Sequence, residues 1–332
     1  MNTATQGRAR VTAIAVTAVG TALLPLVLDR AQLTVYILIG LYGVVATGIS
    51  LLMGYAGQVS LGQMAFFAVG AYTAAVIAKY DSGIGPLLGL VAAPICAFAV
   101  AGIVGIPLLR LRGHYLAFAT LAFLLIFVAV ASQQSFLGGA IGIQDIPPLG
   151  IGSATFLSYE AYAWVTWVAV VAVMVISRNI IASRPGRGLR ALATSEVAAE
   201  SSGVHVGRYK LMVFALSAAY AGLAGAIYAF VFVSISPGAF TVDLSLQFVV
   251  IAVVGGLGTI VGPLVGSAIV TLLIQVLNDL ATRPGMPEHT AVVSNYAAYA
   301  VLLIIVVLSM PRGVVPTLGS VLRGRLFPTP SP

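Results

Sequence analysis

Apolar residues in this chain run in long unbroken blocks instead of recurring on one face at a time. The blocks cover 11–28, 33–52, 60–79, 86–109, 114–136, 159–177, 210–233, 244–258, 260–277 and 291–309. A hydrocarbon core about 30 Å thick is crossed by about 17–25 helical residues, which most of these blocks supply. Strands of that length would leave backbone groups unpaired in lipid. The pattern therefore predicts an all-α, polytopic membrane helical bundle of about ten transmembrane spans. The first block resembles a secretory leader, with Arg8 and Arg10 before it. It is longer than a leader's apolar core and no A-x-A site follows, so it counts as a span. The run GGLGTIVGP from Gly255 to Pro263 is either a turn between two short spans or a break within a re-entrant pair. The second alternative gives eight spans plus that pair.

Polar residues concentrate in one interval, 178–209, between two blocks. Ser183 and Pro185 supply a helix start, Thr194 or Ser195 a second N-cap with Glu196 in the turn that follows, and Gly203 a stop. Two short helices outside the bilayer are expected, forming a loop within one transmembrane domain of residues 1–332. A second unusual stretch, GYAGQVSLGQMAFFAVGAY (54–72), lies inside the membrane zone. Ser60 through Gln63 has the spacing of a capping box, so a helix is predicted to begin at Ser60.

Composition agrees with the blocks: 60% hydrophobic, 8% charged, mean hydropathy +1.08. Charge adds an orientation. With both termini cytoplasmic, all basic residues except Arg30, Lys79 and Arg283 fall on the cytoplasmic side, while only Glu196 and Glu200 of the nine acids do. The net charge of +7 is thus a topology signal; no basic stripe with interleaved aromatics points to nucleic acid. The single cysteine, Cys96, sits in an apolar run and reads as a small buried hydrophobe. The segment from Leu137 to Tyr159, with Pro147 and Pro148, is the longest external one and a candidate outer docking surface.

Catalytic chemistry has no constellation to start from. The only lysines, Lys79 and Lys210, follow Ala78 and Tyr209, so no phosphate-cradling Gly-Lys-Ser/Thr loop exists. His114, His205 and His289 are far apart and no metal-ligand spacing occurs. All nine carboxylates lie outside the spans or at their edges, which removes the usual carrier of a coupling ion. The reading is a non-enzyme without metal or cofactor of its own.

Two features remain inside the spans. Ser217, Ala221, Gly225 and Ala229 recur every four residues with Gly222 beside them, and Gly258, Gly262 and Gly266 repeat that spacing. Such ladders let helix backbones approach closely, either within the chain or against a partner. The glycine-rich break before Ser60 is either an interfacial turn or an irregular segment lining a cavity. In the second case Gln58, Ser60 and Gln63 face a polar solute, with Phe66 and Phe67 as apolar wall.

The stretches 54–72, LRLRGHYLAFATLAF (109–123), LGGAIGI (137–143), 186–229 and SLQFVVIAVVGGLGTIVGPLVGSA (245–268) together resemble the permease subunits of branched-chain amino acid (Liv-type) ABC importers. The third and fourth are more similar to the LivM-like half. The resemblance implies a bacterial plasma (inner) membrane, multi-pass subunit moving branched-chain or hydrophobic amino acids. Its implied partners are a second, LivH-like permease, two ABC ATPases that bind the ATP, and an external solute-binding protein, all within membrane lipid. It also implies that the central loop is an ATPase-coupling element. Val197 through Gly203 matches the EAA-x3-G pattern of such elements except that Val197 replaces the leading Glu, with Glu196 and Glu200 on either side. Ala198, Ala199 and Gly203 leave little bulk against a partner, and Arg187, Gly188 and Arg190 flank them. Related permeases for urea or short amides are the alternative within the family. An ATP-independent carrier or channel is the alternative outside it.

Overall fold

The computed structural model describes residues 24–80, 84–111, 113–151, 154–155, 158–281, 297, 301 and 313–317. Its principal helices are α1 (Arg30–Ala56), α2 (Gln63–Tyr80), α3 (Gly85–Leu108), α4 (His114–Gln133), α5 (Tyr159–Ala182), α6 (Arg184–Thr194), α7 (Glu196–Ser201), α8 (Val206–Phe232), α9 (Val242–Gly255) and α10 (Gly262–Ala281). Eight expected spans each coincide with a helix, α1 to α5 and α8 to α10. Those at 11–28 and 291–309 lie mostly outside the described residues. Among the described residues, seven segments are long and apolar enough to cross a bilayer: α1, α3, α4, α5, α8, 237–255 and 262–279.

The expected span missing from those seven is α2, and its surroundings explain why. From Gln63 to Tyr72 every α2 residue is buried within the protein. A helix wrapped by other helices need not be as apolar as one facing lipid. Its helical structure also begins three residues later than the capping-box spacing predicts. Ser60 Oγ accepts only a long 3.4 Å bond from Gly62 N–H, and the Gln63 side chain bonds nothing. Bonds from other helices hold the peptide before Gly62 in place of the box.

Helix α8 packs against α1, α2 and α3, and the small residues set the approach. A Cβ on Gly70 would lie 2.1 Å from the Gly222 carbonyl oxygen, and one on Gly225 would lie 1.9 Å from that of Phe67. Ser217, Ala218, Ala221, Gly222, Gly225, Ala226 and Ala229 are all buried. The other ladder does not form on one helix. Gly258 sits in the loop between α9 and α10 with φ +74°, Gly262 opens α10, and Gly266 abuts Ile251 and Gly255 of α9. Helix α1 joins the halves, touching α5, α6, α8, α9 and α10. Ser267 Oγ of α10 donates to Ile39 O across this contact at 2.7 Å.

Peripheral helices show the opposite pattern. On α4, Tyr115, Phe118, Leu125 and Ile126 are exposed, as are Val168, Val171 and Val175 on α5, and these form the surface offered to lipid. Among the described residues no Asp, Glu, Lys or Arg is buried. The segment after α4 folds back over one end of the bundle. Ile143 exchanges two 2.9 Å backbone bonds with Ile235, Ile146 N–H reaches Val233 O, and Ile143, Ile146 and Leu149 are buried. A small antiparallel pair, β1 (Gly150–Ile151) and β2 (Ala154–Thr155), follows.

Candidate functional site: two helix breaks and an exposed helix pair

Two interruptions of helical structure meet at the last turns of α1. The first covers 57–62, between α1 and α2, and the second covers 256–261, between α9 and α10. Gly57 ends α1 in the left-handed conformation, φ +61°, and the chain then extends. Gln58 and Ser60 are buried while Gly57 and Val59 are exposed, the alternation of an extended segment.

This extended segment climbs into the bundle. Leu61 N–H donates to Thr120 Oγ1 of α4 at 3.0 Å, and Ser245 Oγ of α9 donates to Leu61 O at 2.5 Å. Ser245 lies in the first turn of α9, roughly ten residues, or about 15 Å, from that helix's end at Gly255. Five extended residues at about 3.3 Å each cover the same distance. Bare backbone at that depth is tolerated only where protein or a polar cavity encloses it. Gly62 is where the segment comes closest to α4: a Cβ there would lie 2.3 Å from Thr120 O.

The side chains of the first break are less well satisfied than its backbone. Gln63 is fully buried and neither its Oε1 nor its Nε2 has a partner; Gln58 Oε1 and Ser217 Oγ are also buried without one. A buried amide without partners costs roughly 2–7 kcal/mol on transfer scales. Phe66 and Phe67 do not line an opening in this conformation. Phe66 packs edge-on against Phe214 and beside Phe123, and Phe67 packs among Tyr228, Phe240 and Phe248.

The second break is built differently. Its backbone is bonded by side chains of α1: Ser50 Oγ accepts from Gly258 N–H at 3.0 Å and donates to Thr259 O at 3.2 Å, and Tyr55 Oη donates to Gly258 O at 3.1 Å. Gly54 presses directly on it, since a Cβ there would lie 2.4 Å from Gly258 N. Residue spacing gave no sign of Ser50, Tyr55, Thr120 or Ser245. Hydroxyls in these helices usually bond their own turn, as Thr47 does to Gly43 O and Thr166 to Tyr162 O. Only coordinates separate the hydroxyls that reach another segment.

The third component is the α6–α7 pair, whose start and stop signals act where they were expected. Ser183 is the N-cap residue of α6 with Pro185 in its first turn, and Ser195 Oγ caps α7 by accepting from Ala198 N–H at 3.3 Å. Gly203, at φ +80°, closes α7, with Val204 N–H reaching back to Ala199 O. Leu189 and Leu192 are buried, while Arg187 and Arg190 are exposed. Gly188 rests against the Tyr209 ring, and Arg190 donates to Ile181 O at the end of α5. On α7, Ala199 is buried, whereas Glu196, Val197, Ala198 and Glu200 are exposed, Val197 at 78%. Glu196 is ion-paired to Lys210 of α8, so of the two acids flanking this sequence only Glu200 is left without an ion pair among the described residues. The exposed helix pair and the buried break are separate constellations, with the end of α1 between them.

Comparison with known proteins gives this arrangement a family. Residues 32–310 match the family described as branched-chain amino acid transport system / permease component. The high-affinity branched-chain amino acid transport system permease protein LivM of Salmonella typhimurium is 30% identical over 285 residues, 77% of this chain and 65% of that protein. The chain thus spans just under two thirds of that relative's length. The probable permease LivM of Methanocaldococcus jannaschii is 24% identical over 83% of this chain and 91% of its own length. The permease LivH of Salmonella typhimurium is 26% identical over 82% of this chain and 90% of its own. No solved structure gives a significant match. On the extent of the family match, this multi-pass membrane protein belongs to the permease components of branched-chain amino acid transport systems.

Proposed function

We propose that the chain is the membrane subunit of an ATP-driven ABC importer that moves branched-chain or other hydrophobic amino acids. It works beside a second permease of the LivH kind, two ATPase subunits and an external binding protein. It resides in the bacterial inner membrane with ten spans and both termini cytoplasmic, so α6 and α7 face the cytoplasm. The chain holds no cofactor of its own; ATP is bound by the partners.

The observation that carries this reading is α7: a capped, six-residue helix that shows Val197, Ala198 and Glu200 to solvent and is anchored by buried Ala199. An exposed valine on so short and rigid a helix is suited to an apolar groove on a partner. The solute path runs by Gln58, Ser60 and Gln63, and the amides of Gln58 and Gln63 have unmade hydrogen bonds. Those amides suit the ammonium and carboxylate of an amino acid. They suit urea and short amides equally, which keeps that cargo as the second reading.

The test is Ala198→Arg in the co-expressed complex reconstituted into vesicles. Ala198 is exposed, so the variant folds, and leucine uptake with the binding protein and ATP is expected to vanish. Wild-type uptake in this variant would remove α7 from the coupling role. Uptake by the chain alone would favour a carrier instead.

A further inference from the structure

Both backbone polar groups of one residue in the second break, the N–H and C=O of Gly258, are taken by hydroxyls from the last two turns of α1, Ser50 and Tyr55. In return, the first turn of α9 holds the first break through Ser245 and Leu61 O. Helix α1 leads into the first break yet grips the second. Helix α9 leads into the second yet grips the first. Neither segment can be displaced far without breaking bonds to the helix that precedes the other.

From this reciprocal clasp we propose that the two breaks move as one part during transport, with Ser50 and Tyr55 as the positioning residues that drive it from the cytoplasmic end of α1. The proposal rests on the permease reading above. Helix α6 is packed against α1 and α5. Its Arg190 lies within electrostatic reach of Tyr55 and is itself bonded to Ile181 O. A displacement of the α6–α7 pair therefore passes directly to α1. From there it has two outlets. One is direct, into Gly258 through hydroxyl bonds and the backbone contact at Gly54. The other passes along α9 to Ser245 and Leu61, beside the buried amide of Gln63. Linked segments with two arrangements transmit a rigid displacement without needing a continuous helix.

The experiment uses the whole complex in vesicles, with leucine uptake and ATP hydrolysis measured on the same sample. Tyr55→Phe keeps the ring and removes only the hydroxyl that holds Gly258. Uptake per ATP is expected to fall about tenfold, the effect of one buried hydrogen bond, while hydrolysis stays near wild type. Ser50→Ala and Ser245→Ala test the two grips separately and are expected to lower the same ratio. The double variant Tyr55→Phe/Ser245→Ala is expected to be little worse than either single change, because one part can be released only once. Thr166→Val, whose hydroxyl bonds only its own helix, leaves the ratio unchanged. Multiplying losses in the double variant would show two independent breaks and overturn the proposal. So would an unchanged ratio, or uptake and hydrolysis falling in proportion. Absence of ATP-driven uptake in the wild-type complex would instead count against the permease reading.

Discussion

The breaks at 57–62 and 256–261 interrupt the same bundle, yet they solve the buried-backbone problem by opposite means. In the first, other helices satisfy the backbone through Thr120 and Ser245, while Gln58 within the segment and Gln63, the first residue of α2 after it, keep unmade hydrogen bonds. In the second, glycines carry the bends and α1 supplies the bonds, leaving no polar side chain waiting for a partner there among the described residues. On the function proposed above, the difference suits the first segment to meeting a solute and the second to bending or being pulled.

The largest expected effect tests how firmly the first break is held. Gly62→Ala places a methyl about where Thr120 O already is. It should destabilise the detergent-solubilised protein by about 3 kcal/mol. A melting temperature equal to wild type would mean that the segment is free of α4. The next effect has the opposite sign. Gln63→Leu removes the unpartnered amide and should stabilise the fold by about 2 kcal/mol while lowering leucine uptake by the complex. Loss of stability would show that the amide is bonded in the membrane, which would cancel the contrast between the breaks. The smallest concerns the second break. Gly258 has φ +74° but open space around its α-carbon, with only Gly54 Cα near a built Cβ, at 3.9 Å. Gly258→Ala should therefore cost only about 1 kcal/mol, the conformational term alone. A cost as large as that at Gly62 would mean that steric contact, not conformation, governs both segments.

How much of this was legible in advance follows from which interactions are local. The helical blocks, the α6–α7 pair, its cap at Ser195 and its stop at Gly203 depend on residues within a few positions of one another, and they fall where spacing puts them. The helix start expected at Ser60 failed because Thr120 and Ser245, which are distant in sequence, bond both backbone groups of Leu61 in the extended segment. The Gly258–Gly262–Gly266 ladder failed because Gly258 adopts positive φ and leaves the helix. A spacing of four reports one face only if all its members are helical. Glu196 shows the same limit of local reading: its ion pair with Lys210 on α8 joins residues fourteen positions apart. The reciprocal grip between breaks was invisible, since serine and threonine in such helices mostly bond their own preceding turn.

Helix α2 carries a last implication, for biogenesis. It is the least apolar of the expected spans, and its glutamine and close-packed small residues suit a protein interior better than an acyl chain. As the chain emerges, α2 arrives directly after α1 but well before α8, its largest neighbour. Its own partitioning holds it in the bilayer less firmly than that of the other spans. Full cover comes only when the later helix arrives beside it. For this protein the order of synthesis and the order of burial differ, and the centre of the finished bundle is among the last parts to be settled.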